Sequence, residues 1–224
     1  MNRAVFLDRD GTLNEDVGYP RSLAEIRIFP ESFEAIRLLN KAGFHLIVVT
    51  NQSAVGRGWL AESNLQKIHS AMQEIFLAQG ARIDAFYYCP HWLDSLDPIY
   101  ALSCECRKPG TALGHRAARD FNLNLKKSFM VGDKLEDILF GHRLGTKSVL
   151  VLTGDGKQTW QNLSWLKEKN RLERINSLKH LNQRGWDWTK LRLKLDELEP
   201  DYVAANILEA AHWIINQLRN ESNF

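Results

Sequence analysis

The stretch Ala4-Val5-Phe6-Leu7-Asp8-Arg9-Asp10-Gly11-Thr12 decides how this chain is read. Four apolar residues in a row, closed by charge, have the length and pattern of a strand buried on both faces. Two carboxylates then stand two residues apart where the strand ends and the backbone turns at a glycine. From there Asp8 and the backbone carbonyl of Asp10 can face one cation, while the Asp10 side chain reaches the opposite side of a reacting group. A nucleophile and a general acid/base are then held in series. An isolated Asp-x-Asp-Gly also reads as a solvated turn, so the rest of the chain has to decide between the two readings.

Outward from this stretch the apolar run recurs at 45–49, 86–88, 128–131 and 148–152, with helical periodicity over 31–42, 61–79, 111–121 and 135–144 between the runs. Gly43 and Gly80 follow two of these helices, where a left-handed cap is expected. Residues 201–204 read as a last short strand and 207–218 as a closing amphipathic helix. Strands alternating with helices predict an α/β protein: a three-layer, Rossmann-like parallel sheet with helices on both faces. Ligands bind such sheets outside the carboxyl ends of the strands. Asp8 and Asp10, Thr50 and Asn51, Cys89 and Asp133 are therefore expected at one edge.

The other motifs sit at those strand ends. Val131-Gly132-Asp133-Lys134-Leu135-Glu136-Asp137 adds carboxylates able to complete a hard-cation site suited to Mg²⁺ with Asp8 and Asp10. Asp133 is the better ligand, and Asp137 reads equally as a first-turn helix charge or as a group standing behind the ligands. Thr50-Asn51-Gln52-Ser53 offers a hydroxyl and amides to phosphate oxygens, or else caps a helix. Arg107-Lys108-Pro109 brings fixed positive charge. Cys89 and His91, twelve intervening residues, then Cys104 and Cys106 form the Cys₃His set of a closed tetrahedral Zn²⁺ site, against the alternative of incidental buried thiols. Four protein ligands leave no place for water, so this zinc is expected to be structural, stapling a loop over 89–106.

These elements, in this order, resemble the haloacid dehalogenase (HAD) superfamily of phosphatases over residues 5–152. The resemblance implies that Asp8 attacks phosphorus to form an aspartyl phosphate and that Asp10 protonates the leaving alkoxide, then activates water. It implies that Thr50 and Lys108 hold the phosphoryl oxygens, and that catalytic Mg²⁺ sits between Asp8, the Asp10 carbonyl and Asp133. With the zinc loop included, the chain looks like the members that act on small sugar bisphosphates, which implies that Arg107 recognises substrate and Lys134 contacts it near the metal. Asp16, Tyr19, Thr50, Asn51, Gln52, Ser53 and Lys108 would line the sugar and phosphate pocket. The segments 13–29 and 91–106, where relatives carry a cap, are short, so an open site is expected. Rival readings are a histidinol-phosphate phosphatase, a polynucleotide 3′-phosphatase, and a zinc-stabilised binding module without catalysis.

The 224 residues are 44% hydrophobic and 25% charged, an ordinary globular composition read as one domain over 1–224. A net charge of +2 argues against an overall polyanion binder. The charge is uneven: residues 157–198 carry +5, four of the seven tryptophans and the pattern of one or two charged helices, over 162–182 and 189–198. This stretch is read as a basic helical insertion, a solvated face with tryptophan buried beneath it, and as the region for any dimer or partner contact of an otherwise monomeric protein. No signal pattern opens the chain and no apolar run approaches the roughly 20 residues of a membrane span, so a cytoplasmic protein with a small phosphorylated sugar as its partner is expected, with neither membrane nor nucleic acid.

Overall fold

A computed structural model describes residues 1–167 and 196–221. Six strands form one sheet: β1 (Ala4–Leu7), β2 (His45–Asn51), β3 (Ala85–Cys89), β4 (Phe129–Gly132), β5 (Lys147–Val151) and β6 (Tyr202–Ala204). They are ordered β3-β2-β1-β4-β5-β6 with every pair parallel. From β1 the chain builds outward through β2 and β3, then returns to lay β4 on the other side of β1. This reversal opens a crevice between the carboxyl ends of β1 and β4, the place where such sheets bind ligands.

The helices are α1 (Pro30–Lys41), α2 (Ser53–Gly56), α3 (Glu62–Ala78), α4 (Ala112–Asp120), α5 (Leu135–Leu144), α6 (Gly156–Lys167) and α7 (Ile207–Glu221). Alternate residues of β1 face opposite cores. Val5 and Leu7 pack with α1, α3 and α7, through Ile36, Leu39, Leu65, Phe76 and Ile214. Ala4 and Phe6 pack with α4 and α5, through Leu113, Ala117, Phe140 and Leu144. Covering both faces explains why the strands read as unbroken apolar runs instead of alternating ones. Gly43 and Gly80 have positive φ, +83° and +69°, at the helix ends where caps were expected.

Two expectations for 157–198 change. Helix α6 begins at Gly156, six residues before the first expected helix, and Leu163 packs with Ile138, Leu139, Leu150 and Leu198. Trp160 and Trp165 are 37% and 46% exposed, so these two indoles are not buried beneath a solvated face. Of the second expected helix, Asp196–Leu198 is a single 3₁₀ turn. Residues 168–195, which hold the rest of both expected helices and Trp186 and Trp188 between them, lie outside the described residues.

Candidate active site

Asp8 leaves β1 still in the ladder, its N–H donating to the Val131 carbonyl at 2.9 Å. Its carboxylate is buried and accepts from Lys108 Nζ at 2.7 Å; the same ammonium reaches Asp137 Oδ1 at 2.6 Å. Burial opposes the charge on Lys108, but Asp137 and Asp8 outweigh it and raise its pKa. Lys108 is held from both sides of its backbone. Asn51 Oδ1 accepts the Lys108 N–H at 2.9 Å, and Asn51 Nδ2 donates to the Lys108 carbonyl at 3.2 Å. The end of β2 thereby aims a lysine 100 residues away in sequence from its carboxylate partner.

Oxygens of Asp8, Asp133 and Asp137 lie within 4.8 Å of one another, all buried. Burial pushes Asp133 well above the usual carboxylate range, and Asp8 and Asp137 add to the effect while Lys134 opposes it. Asp137 is likewise pushed up to about 7, by burial first. Three acids in one place demand cations. Lys134 Nζ supplies one, at 3.3 Å from both Asp133 oxygens, 3.1 Å from the Asp10 carbonyl and 3.1 Å from Asp16 Oδ2. These all-oxygen donors suit Mg²⁺, and the ammonium already resting on them shows that they draw a cation. Gly11 makes the approach feasible: at φ +88°, with Asp133 oxygens packed against its α-carbon, a side chain there would meet the carboxylate.

The Asp10 side chain lines the cleft and is gripped from the protein side. Arg9 grips it with Nη2 at 2.6 Å and Nε at 3.0 Å, Asn14 donates at 2.9 Å and Gln52 at 2.9 Å. Burial raises its pKa, yet Arg9, Asn14 and Gln52 together hold it below the usual range. Arg9 is fully buried and meets His69 Nε2 at 3.1 Å; burial, then Arg9, lowers His69 to about 3.

Most of the sequence-predicted residues meet at one cleft, lined by Asp8, Asp10, Asp16, Tyr19, Thr50, Asn51, Ser53, Arg107, Lys108, Lys134 and Asp137. Gln52 is placed differently: its amide donates inward to Asp10 and to Thr50 Oγ1 at 2.9 Å, bracing both, and it does not line the cleft. Asp137 does more than charge a helix turn. It accepts the Lys134 N–H at 3.0 Å and pairs with Lys108. Arg57 and Glu136 also line the cleft and were not singled out in the sequence, nor were Arg9 and His69. An arginine between two aspartates reads as solvated, and nothing periodic marks it for burial.

Cys89, His91, Cys104 and Cys106 come together beside this cleft. Sulfur–sulfur separations are 2.9, 3.3 and 3.5 Å, and His91 Nδ1 lies 3.1 Å from Cys104 and Cys106 and 3.6 Å from Cys89. In a tetrahedral zinc site with bonds of roughly 2.3 Å, sulfurs stand about 3.8 Å apart, so the cage needs only slight expansion. The cage is tied to the catalytic strands, since Gln52 N–H donates to the Cys89 carbonyl at 2.8 Å. Strand β3 and the loop are both tied to α3, where Glu62 accepts from Tyr88 of β3 and Tyr100 of the loop at 2.9 and 2.8 Å.

Strand order and carboxylate placement define the class, a hydrolase of the haloacid dehalogenase type acting on phosphate esters. The HAD-hydrolase-like family matches residues 105–178. The D-glycero-beta-D-manno-heptose-1,7-bisphosphate 7-phosphatase of Pasteurella multocida is 39% identical over 164 residues, covering 70% of this chain and 89% of that protein. The chain belongs to the D-glycero-D-manno-heptose-1,7-bisphosphate 7-phosphatase family, the same family that the zinc loop and the three acidic and polar motifs resemble in sequence. The relative from Thermosynechococcus vestitus is 33% identical over 219 residues, and that alignment spans 96% of each chain, across the stretch read as an insertion. The crystal structure of D,D-heptose 1,7-bisphosphate phosphatase from B. bronchiseptica, complexed with magnesium and phosphate, matches with a TM-score of 0.71 at 26% identity over 96% of this chain and 99% of that one. Among the described residues no helix is long and apolar enough to cross a membrane.

Proposed function

We propose that this chain removes the 7-phosphate of D-glycero-D-manno-heptose 1,7-bisphosphate, a step towards nucleotide-activated heptose. The observation that carries the reading is Asp8 at the β1/β4 crevice, fixed by Lys108 and facing a cation-seeking group of oxygens. The substrate comes from the names of relatives that align over most of their own length.

Asp8 attacks phosphorus in line, the ester bond to the sugar breaks, and Asp10 passes a proton to the departing alkoxide. Asp10, now a carboxylate, takes a proton from water; the hydroxide attacks the aspartyl phosphate, and inorganic phosphate leaves with Asp8 restored. In the free site Arg9, Asn14 and Gln52 keep Asp10 ionised, and an incoming phosphate dianion raises its proton affinity, arming it as the acid. Thr50 and Lys108 hold phosphoryl oxygens, while Asn51 and Gln52 keep those two groups in place. Asp8, Asp133 and the Asp10 carbonyl would hold Mg²⁺, with Asp137 behind them; when bound it supplies charge neutralisation to the phosphoryl group. Cys89, His91, Cys104 and Cys106 would hold a structural Zn²⁺, and three thiols in one cage suit a reducing compartment such as the cytoplasm.

The test is a kinetic panel of heptose 1,7-bisphosphate anomers, fructose 1,6-bisphosphate, histidinol phosphate and a 3′-phosphorylated oligonucleotide. The highest kcat/KM is expected for a heptose bisphosphate. A preference for histidinol phosphate would replace the reading.

A further inference from the structure

Arg57 follows the short helix α2 and is pinned there by its N–H, which donates to the Ser53 carbonyl at 2.9 Å. Its guanidinium carbon lies 3.4 Å from the centre of the Trp92 ring, 4.9 Å from Trp59 and 5.5 Å from Tyr19, and those last two rings meet edge to face at 4.7 Å. Three separate segments build this cage. Tyr19 comes from the loop after β1, Trp59 from the turn after α2, and Trp92 from the zinc loop. Gly56 allows the contact, because a Cβ at that position would stand 2.7 Å from the Pro90 carbonyl and 2.8 Å from the Trp92 nitrogen.

Stacking uses the face of a guanidinium and leaves the N–H groups in its plane unspent. Among the described residues no carboxylate forms an ion pair with Arg57, and its buried Nε has no hydrogen-bond partner. The two lysines of the same cleft differ: Lys108 pairs with Asp8 and Asp137, Lys134 with Asp16 and Asp133. Arg57 is therefore a rigidly aimed cation in the cleft whose donors have no acidic partner, beside Tyr19, which lines the cleft, and Trp59, which packs against Tyr19, each 43% exposed.

We propose that Arg57 binds the second, non-reacting phosphate of the substrate as a planar two-pronged donor, with Tyr19 and Trp59 lying against the carbon skeleton. This rests on the bisphosphate reading above. A sugar carrying one phosphate satisfies Asp8, Lys108 and Thr50 and leaves Arg57 unpaired. Arg57 thus sets selectivity for the bisphosphate over the monophosphate, and the zinc loop, by placing Trp92 under it, sets the angle of the fork.

The experiment compares heptose 1,7-bisphosphate with heptose 7-phosphate, which carries the same scissile group, in the wild type, Arg57→Met and Arg57→Lys. Methionine keeps an apolar stem over Trp92 and removes charge and donors; lysine keeps charge without the planar fork. Arg57→Met should lower kcat/KM for the bisphosphate by about ten- to a hundred-fold, chiefly through KM, so that selectivity collapses, with Arg57→Lys in between. Circular dichroism and zinc content identify a misfolded variant, and the lysine variant then carries the test. Selectivity unchanged in a folded variant, or kcat lowered equally for both substrates, overturns the role of Arg57 alone. A wild type that shows no preference for the bisphosphate overturns the substrate reading, and this inference with it.

Discussion

Asp10 presents its backbone carbonyl and its carboxylate to different partners. Its carbonyl faces the Lys134 ammonium at 3.1 Å, among the oxygens suited to a metal, and its carboxylate faces Arg9, Asn14 and Gln52. Asp8, two residues earlier, keeps its carboxylate in the crevice. The spacing of two that puts both residues on this ridge was legible in the sequence; the grip of Arg9 was not, because burial of an arginine depends on partners 43 and 60 residues away, Gln52 and His69. Asp8→Asn tests the ridge directly. An amide cannot carry the phosphoryl group, so kcat should fall by on the order of 10³-fold or more, with circular dichroism and zinc content unchanged. Appreciable residual turnover in a pure sample would remove Asp8 as nucleophile.

At the level of elements, the end of the stretch read as an insertion is clipped to α5 by His142. Its Nδ1 lies 3.0 Å from the Glu197 carbonyl and its Nε2 3.2 Å from Asp201 Oδ2, which also accepts the Ser148 N–H at 2.7 Å. Neither partner can donate, so the two contacts are satisfied together by the protonated ring. Burial lowers its pKa, but Asp201 and the Glu197 carbonyl outweigh burial and raise it above 6.5. Arg143 with Glu197, and Lys147 near Asp201, complete the surrounding charges. A raised base stabilises the fold below its unfolded pKa and loses that contribution as pH climbs through the folded one. The melting temperature should therefore drop as pH rises from about 6.5 through the folded pKa of His142, and His142→Phe should flatten that part of the profile. An NMR titration of His142 with a midpoint at or below 6.5 would remove the clip. No pattern in the sequence pointed to it, since His142 has no spacing to a ligand and its partners lie 55 and 59 residues on.

Across the whole molecule the Cys₃His cluster joins β3 to the edge that carries the cleft, and Arg107 and Lys108 follow Cys106 directly. Removing the metal leaves three thiols in contact, where burial and neighbouring sulfurs cannot keep them all ionised. Chelation should release one zinc per chain, lower the melting temperature and reduce turnover even with Mg²⁺ in excess, as read by metal analysis and kinetics. A zinc-free sample with full stability and rate would sever the cage from the site. The sequence alone pointed to the strands, the helix ends, the acid pair and the four residues of the Cys₃His cluster, because each is written in neighbouring residues: apolar runs, capping glycines, short spacings. Only the tertiary structure decided that Asp137 shares Lys108 with Asp8, that Gln52 turns inward to brace Asp10 and Thr50, that Trp160 and Trp165 stay exposed, and that Arg57 sits between three rings. Those outcomes depend on which distant segments the sheet order brings together, and the return of the chain from β3 to β4 brings them to one crevice.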